Sequence, residues 1–434
     1  MVPRLGVLAL TLAAGVYPAM AAVQRPDPLG VIAAATLTVG QERPALDLLP
    51  AVQPLAAWLD GGTLRLTFLR LSDLPEAAPA TPQPRLAMPE LAPTTSETSP
   101  VGQASSSTAA TLSPTLSPTP SPLPPDLPRT ERPGPVGVAP DGLRELAFAG
   151  PAESPWLVVI RQAGREGTVE ALPLGPGRVR ILQRSPGTLD RLTTAVLGRG
   201  RTGALWRVRL GQRRVALVAR SWGASDSGRL RWLAHTGQSP EQPILLALPD
   251  RWLAAWRSVT ADRAERILAA TWQESQALPL TVPLAEGQLL LGPVGVDGSQ
   301  PPLAGWQGSD PIGRQLHLRR LGQPGPRWHA DLRTDLSMAG PDMTRVGSDG
   351  RGRLLVAWSQ RTHPSGENQA LMARLHGPDG DATSAPILID GNSGDLKPLA
   401  LKAVGNRQWL VGWGRREDDG WSIRLALLSR EGSR

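Results

Sequence analysis

Five tetrads in this chain are nearly the same word, and their spacing limits what the chain can fold into. They are Leu55-Ala56-Ala57-Trp58, Leu253-Ala254-Ala255-Trp256, Leu303-Ala304-Gly305-Trp306, Leu355-Val356-Ala357-Trp358 and Leu410-Val411-Gly412-Trp413. The last four tryptophans stand 50, 52 and 55 residues apart. A period of that size marks an array of like units, each too small to bury its own apolar face. Two weaker copies, Leu157-Val158-Val159-Ile160 and Leu217-Val218-Ala219-Arg220, fill part of the gap between Trp58 and Trp256. With the long Pro/Ser/Thr tract set aside, the count is seven units, and six is the alternative.

One unit shows the internal plan. Arg353 to Trp358 is a short apolar run, and Gln369 to His376 is a second, closed by Gly377-Pro378-Asp379-Gly380. An Asp-Gly pair between apolar runs is a hairpin signal, because glycine accepts the positive φ that the turn needs. Pro386–Ile389 and Pro398–Val404 complete the set before Trp409 opens the next unit. Four short strands per unit, repeated around an axis, resemble the blades of a β-propeller. The last unit has strands at Gln408–Gly414 and Ser422–Ser429 but no room for an outer one. The spacing predicts that Ala34–Val39 supplies it. The expected fold is therefore an all-β, seven-bladed propeller whose N-terminal strand completes the last blade.

Residues 1–21 read as an export signal: Arg4, an apolar Leu5–Val16 stretch, and Ala19-Met20-Ala21 as a small-x-small cleavage site. The apolar stretch is too short to favour spanning a bilayer. Residues 30–74 would form the first blade and the closing strand, and 136–434 the remaining blades. Between them, 75–135 is a Pro/Ser/Thr-rich insertion that cannot pack a core and is expected to be disordered or extended. The chain has no cysteine, which excludes disulfides and thiolate chemistry. These features together predict an exported monomer, periplasmic or extracellular. A formal charge of +8 and a pI near 11.0 come without a Lys/Arg run long enough to track a phosphate backbone. Nucleic acid is therefore not an expected partner.

Known propeller chemistries find little purchase. Sialidases use a tyrosine nucleophile, and the one tyrosine, Tyr17, lies in the leader. The residue after each motif tryptophan is never the aspartate of WD-type repeats, and a kelch-like double glycine occurs once, at Gly61-Gly62. The resemblance is to β-propellers as an architecture and singles out no family. The five histidines are scattered without metal-ligand spacing, so no metal and no cofactor is expected. Topology places any site where the second-to-third strand loops gather at one mouth of the ring. The candidates there are Arg161, Arg165, Trp222, Arg257, Arg361, Arg415, Arg416 and Trp421. Guanidinium groups recognise carboxylate or phosphate bidentately, and an indole can stack on a sugar. The expectation is a non-catalytic scaffold of the cell envelope that binds a protein or an anionic glycan. The alternative is a carboxylate-based glycan hydrolase or lyase at the channel mouth.

Overall fold

The computed structural model describes residues 29–71 and 142–430, apart from short segments that mostly connect strands, among them 41–43, 235–238, 260–264, 276–279, 321–327, 335–343, 362–368 and 378–381. The expected leader and the Pro/Ser/Thr insertion fall outside the described residues. Those residues hold strands and no α-helix. No helix among them is long and apolar enough to cross a membrane.

The strands sort into antiparallel sheets in chain order. β1 (Leu29–Gly40) is set aside for the last. The first sheet contains β2 (Leu46–Leu49), β3 (Leu55–Asp60) and β4 (Thr63–Phe68). The second contains β5 (Leu143–Ala149), β6 (Trp156–Ala163), β7 (Glu166–Pro173) and β8 (Arg180–Ser185). The third contains β9 (Thr188–Leu197), β10 (Arg201–Arg209), β11 (Val215–Trp222) and β12 (Arg231–Ala234). The fourth contains β13 (Ser239–Ala247), β14 (Trp252–Val259), β15 (Glu265–Trp272) and β16 (Leu280–Gly287). The fifth contains β17 (Leu290–Val296), β18 (Leu303–Asp310), β19 (Gly313–Arg320) and β20 (Trp328–Thr334). The sixth contains β21 (Thr344–Ser348), β22 (Leu354–Arg361), β23 (Gln369–His376) and β24 (Ile387–Asn392). The seventh contains β25 (Leu396–Gly405), β26 (Gln408–Glu417) and β27 (Gly420–Arg430), with β1 as its outer strand. Leu29 faces Arg430 and Val39 faces Ser422 across that last pairing.

Each sheet is a meander, and its first strand packs beside the first strand of the next: β2 on β5, β5 on β9, β9 on β13, β13 on β17, β17 on β21, β21 on β25 and β25 on β2. Sheets of four strands, three in the first, packed face to face through their first strands make a propeller-like, all-β architecture. The tetrads lie on second strands, and outside the fifth sheet their residues are buried between the sheets. Between the second and third sheets, Val158 and Ile160 meet Leu189, Ala204 and Trp206. Between the third and fourth, Leu205 and Leu217 meet Trp252, Ala254 and Trp256. Trp58, Trp256, Trp358 and Trp413 are all buried, which takes the tetrads' largest apolar surface out of water.

The third sheet corrects one sequence assignment. Leu217-Val218-Ala219-Arg220 belongs to β11, the third strand, and the tetrad of that sheet is Gly203-Ala204-Leu205-Trp206 on β10. Glycine replaces the opening leucine because the Trp252 ring of the next sheet occupies that space. A Cβ at Gly203 would lie 2.7 Å from the Trp252 Cζ3 atom. Trp222 moves with this correction. It ends β11 instead of occupying a second-to-third turn, and it is fully buried with its ring edge-on to Trp156 at 6.2 Å.

Candidate functional site

Second-to-third turns and the links from one sheet to the next share one end of the assembly, called here the mouth end. There, first strands depart from regular pairing where they face the end of a tetrad. The β5–β6 register shifts between Leu143 and Glu145, the β9–β10 register around Leu205 and Arg207, and the β13–β14 register between Glu241 and Ile244. Two of these bulges hold a non-glycine residue at positive φ, Arg191 at 60° and Gln242 at 49°. Bulges re-aim side chains, and backbone outliers of this kind cluster at functional sites.

The re-aimed residues are acidic. Asp190 on β9 and Glu241 on β13 stand opposite Arg207 and Arg257, each of which follows its tetrad tryptophan. Arg207, buried, grips Asp190 with two hydrogen bonds, Nε to Oδ1 at 2.6 Å and Nη2 to Oδ2 at 2.8 Å. Its Nη1 donates to the Pro240 carbonyl at 3.2 Å, which ties the third sheet to the fourth. Arg209 reaches the same carboxylate at 3.2 Å. Arg257 bridges Glu241 at 2.9 Å and Glu265 at 2.6 Å. Planar guanidinium forks suit such paired contacts, and the arrangement keeps these charges compensated as they leave water.

Glu145 on β5 is different. Its Oε2 accepts a hydrogen bond from the Leu192 backbone N–H across the sheet boundary at 2.7 Å. No ion pair to it exists among the described residues. Burial pushes its carboxyl up from the ordinary glutamate value of 4.5. The Leu192 and Arg191 backbone N–H groups pull it back, while the nearby Asp190 charge adds to the rise and the Arg191 charge opposes it. Two neighbouring carboxyl groups thus sit in contrasting surroundings, one favouring its proton and one clamped by arginines. A carboxyl group shifted by burial at such a position is a candidate for acid–base work.

All the sequence-selected residues except Trp222 lie at the mouth end. Arg161 lies near the end of β6 and pairs with Glu170 at 3.5 Å, while Arg165 sits at the β6–β7 turn. Arg257 is engaged as described. Arg361 ends β22. In the seventh sheet Arg415 contacts Asp390 at 3.1 Å, and the Arg416 backbone N–H donates to the Asp395 carbonyl at 2.9 Å. Trp421 is nearly buried, and the Lys397 ammonium lies 4.7 Å from its ring centroid. A cation therefore already occupies the neighbourhood of the indole that was expected to stack on a sugar. The structure brings Arg161 and Arg165 together in the second sheet, and Arg415, Arg416 and Trp421 together in the seventh. Sequence reasoning missed Glu145, Asp190 and Glu241 because it searched turns, whereas these residues lie on bulged first strands. No group of three metal-ligating side chains occurs among the described residues.

No known family matches the chain, and no curated protein is similar to it. Solved structures do resemble it. One is a Hadza microbial sialidase, with a TM-score of 0.45 and 9% identity over 66% of this chain and 65% of that one. A second is a Trypanosoma rangeli sialidase in complex with the inhibitor DANA, with a TM-score of 0.41 and 8% identity over 67% of this chain and 55% of that one. A third is a protein of unknown function from Dyadobacter fermentans, with a TM-score of 0.46 and 8% identity over 93% of this chain and 99% of that one. The chain thus spans less than two thirds of either sialidase. The expectation of a non-catalytic scaffold is corrected by these matches: where they carry a named activity, it is that of a glycan hydrolase, the class of the alternative expectation. Identities of 8–9% assign no residue of this chain a role.

Proposed function

We propose that the protein is a carboxylate-based glycan hydrolase whose site lies at the mouth end, over the boundary between the second and third sheets. The observation that carries this reading is the contrast between Glu145, whose burial favours the protonated form, and Asp190, held by Arg207 and Arg209. Glu145 donates its proton to the glycosidic oxygen as the bond to the anomeric carbon breaks. Asp190, held in place by Arg207 and Arg209, is the neighbouring carboxylate that helps keep the proton on Glu145 until the leaving oxygen takes it. Water then adds to the anomeric carbon and returns a proton to Glu145. Unlike sialidases, this chain offers no tyrosine after residue 17, so its chemistry rests on carboxylates.

The scaffold we infer for this site is a closed, seven-bladed propeller. The cyclic packing of first strands and the pairing of β1 with β27 support it. The apolar leader and the absence of cysteine support export to a periplasm or beyond, with 75–135 as a spacer leaving the first blade. Release of reducing ends from a panel of neutral and acidic polysaccharides tests the activity. Glu145→Gln should lose about a hundredfold or more in rate while remaining folded. Equal rates in the two proteins, or no release from any polysaccharide, would overturn the assignment.

A further inference from the structure

At the mouth end of the second and third sheets several guanidinium groups are left over. Arg144 near the start of β5, Arg165 at the β6–β7 turn, Arg184 near the end of β8 and Arg214 before β11 are all exposed. Their side chains have no hydrogen-bond or ion-pair partner among the described residues. Arg165 and Arg184 also line a shallow open recess of about 290 Å³ together with Glu166, Ser185 and Pro186. The backbone under Arg184 is well placed. The Pro186-Gly187 turn packs so closely on β10 that a Cβ at Gly187 would lie 2.3 Å from the Arg209 carbonyl oxygen. The chain runs directly from the recess into β9: Ser185 and Pro186 line the recess, Gly187 packs on the Arg209 carbonyl, and Asp190 follows three residues later.

We infer that the substrate is an acidic polysaccharide and that Arg165 and Arg184 bind an oxyanion on a sugar unit adjoining the one cleaved. This inference rests on the hydrolase reading and adds the substrate class to it. Two planar forks on rigid hairpins suit a carboxylate or a sulfate, and the Glu166 carboxylate beside them is an acceptor for a sugar hydroxyl. A neutral glycan would leave both guanidinium groups with no gain over water. The cost of ordering them would then oppose binding.

The test uses the full chain carrying Glu145→Gln, so that binding is read without turnover. Calorimetry would compare oligosaccharides bearing uronate, oligosaccharides bearing sulfate, and neutral ones of equal length. Arg165→Gln with Arg184→Gln in that background should weaken binding of the acidic series about tenfold or more and leave the neutral series unchanged. The uronate and sulfate arms identify which oxyanion is preferred. Arg178→Gln, at the opposite end of the second sheet, should leave binding as it is. Neutral and acidic series binding alike, or acidic binding indifferent to the two arginines, would overturn the inference. Charge-dependent binding in a protein that cleaves nothing would instead sink the hydrolase reading and leave the anion site standing. Cleavage of neutral glycans unaffected by the arginine changes would do the reverse.

Discussion

The two ends of the second and third sheets differ in how many arginines they leave free. Away from the mouth, guanidinium groups are consumed by the protein itself. Arg180 donates to the Gly223 and Asp226 carbonyls, both at 2.9 Å, and Arg201 pairs with Asp226 at 3.1 Å. Arg231 donates to the Glu274 carbonyl at 2.7 Å. The Glu274 carboxylate accepts from the Trp252 indole N–H at 2.7 Å and from the Ser221 hydroxyl at 2.5 Å. These contacts stitch the second, third and fourth sheets together, and among the described residues of the adjoining turns Arg178 and Arg229 stand apart from them. At the mouth Arg207 and Arg209 are likewise spent on Asp190, but Arg144, Arg165, Arg184 and Arg214 stay exposed. The same residue type is almost wholly consumed at one end and partly available at the other. Arginine content therefore says little about recognition until its partners are counted.

Three changes probe that contrast through stability. Glu274→Ala should do the most damage, because it strands the buried Trp252 N–H and Ser221 hydroxyl. A loss of roughly 2–4 kcal/mol in urea unfolding is expected, and a change near zero would dissolve the contrast. Glu145→Gln comes next, and its effect depends on pH. Because burial raises the Glu145 pKa above 4.5, the folded chain holds that proton more tightly than the unfolded one. The wild-type protein keeps this contribution below about pH 4.5 and loses it as pH rises through the raised value. The variant should therefore match the wild type in acid and overtake it toward neutrality, and parallel stability curves across pH would remove Glu145 as the buried acid. The smallest effect belongs to Arg165→Gln with Arg184→Gln, which should leave stability within about 0.5 kcal/mol. A larger loss would mean that these arginines hold the fold as their counterparts do at the far end.

Much of the scaffold was legible because the tetrads recur on the strand of each sheet that is flanked on all sides, where large apolar side chains cannot be exchanged for polar ones. The outer strand from Ala34–Val39 was legible for a related reason: the last unit lacked a strand, and the start of the chain had one to spare. The third unit was misread where packing, not patterning, chose the residue. Trp252 fills the place of a leucine, so Gly203-Ala204-Leu205-Trp206 does not resemble its cousins. Yet Trp206 stands as far before Trp256 as Trp306 stands after it, and that interval was a usable signal. The site was less legible. Glu145 and Asp190 are ordinary acidic letters in their local sequence, and their meaning comes from a bulge and from a neighbour contributed by another sheet. Arg161 and Arg257 were found as charged residues following the tetrad, but the spacing carried no hint that each already had a carboxylate partner.

The union of β1 with β27 bears on how the molecule comes into being. The Leu29–Gly40 half of that ladder is synthesised long before the Gly420–Arg430 half, so its hydrogen bonds wait on synthesis of everything between them. Until then the Leu29–Gly40 segment is an unaccompanied edge, exposed to other chains and to chaperones. Loss of that early segment would leave the seventh sheet with a raw flank along β27, an opening for a neighbouring molecule to lend its own strand.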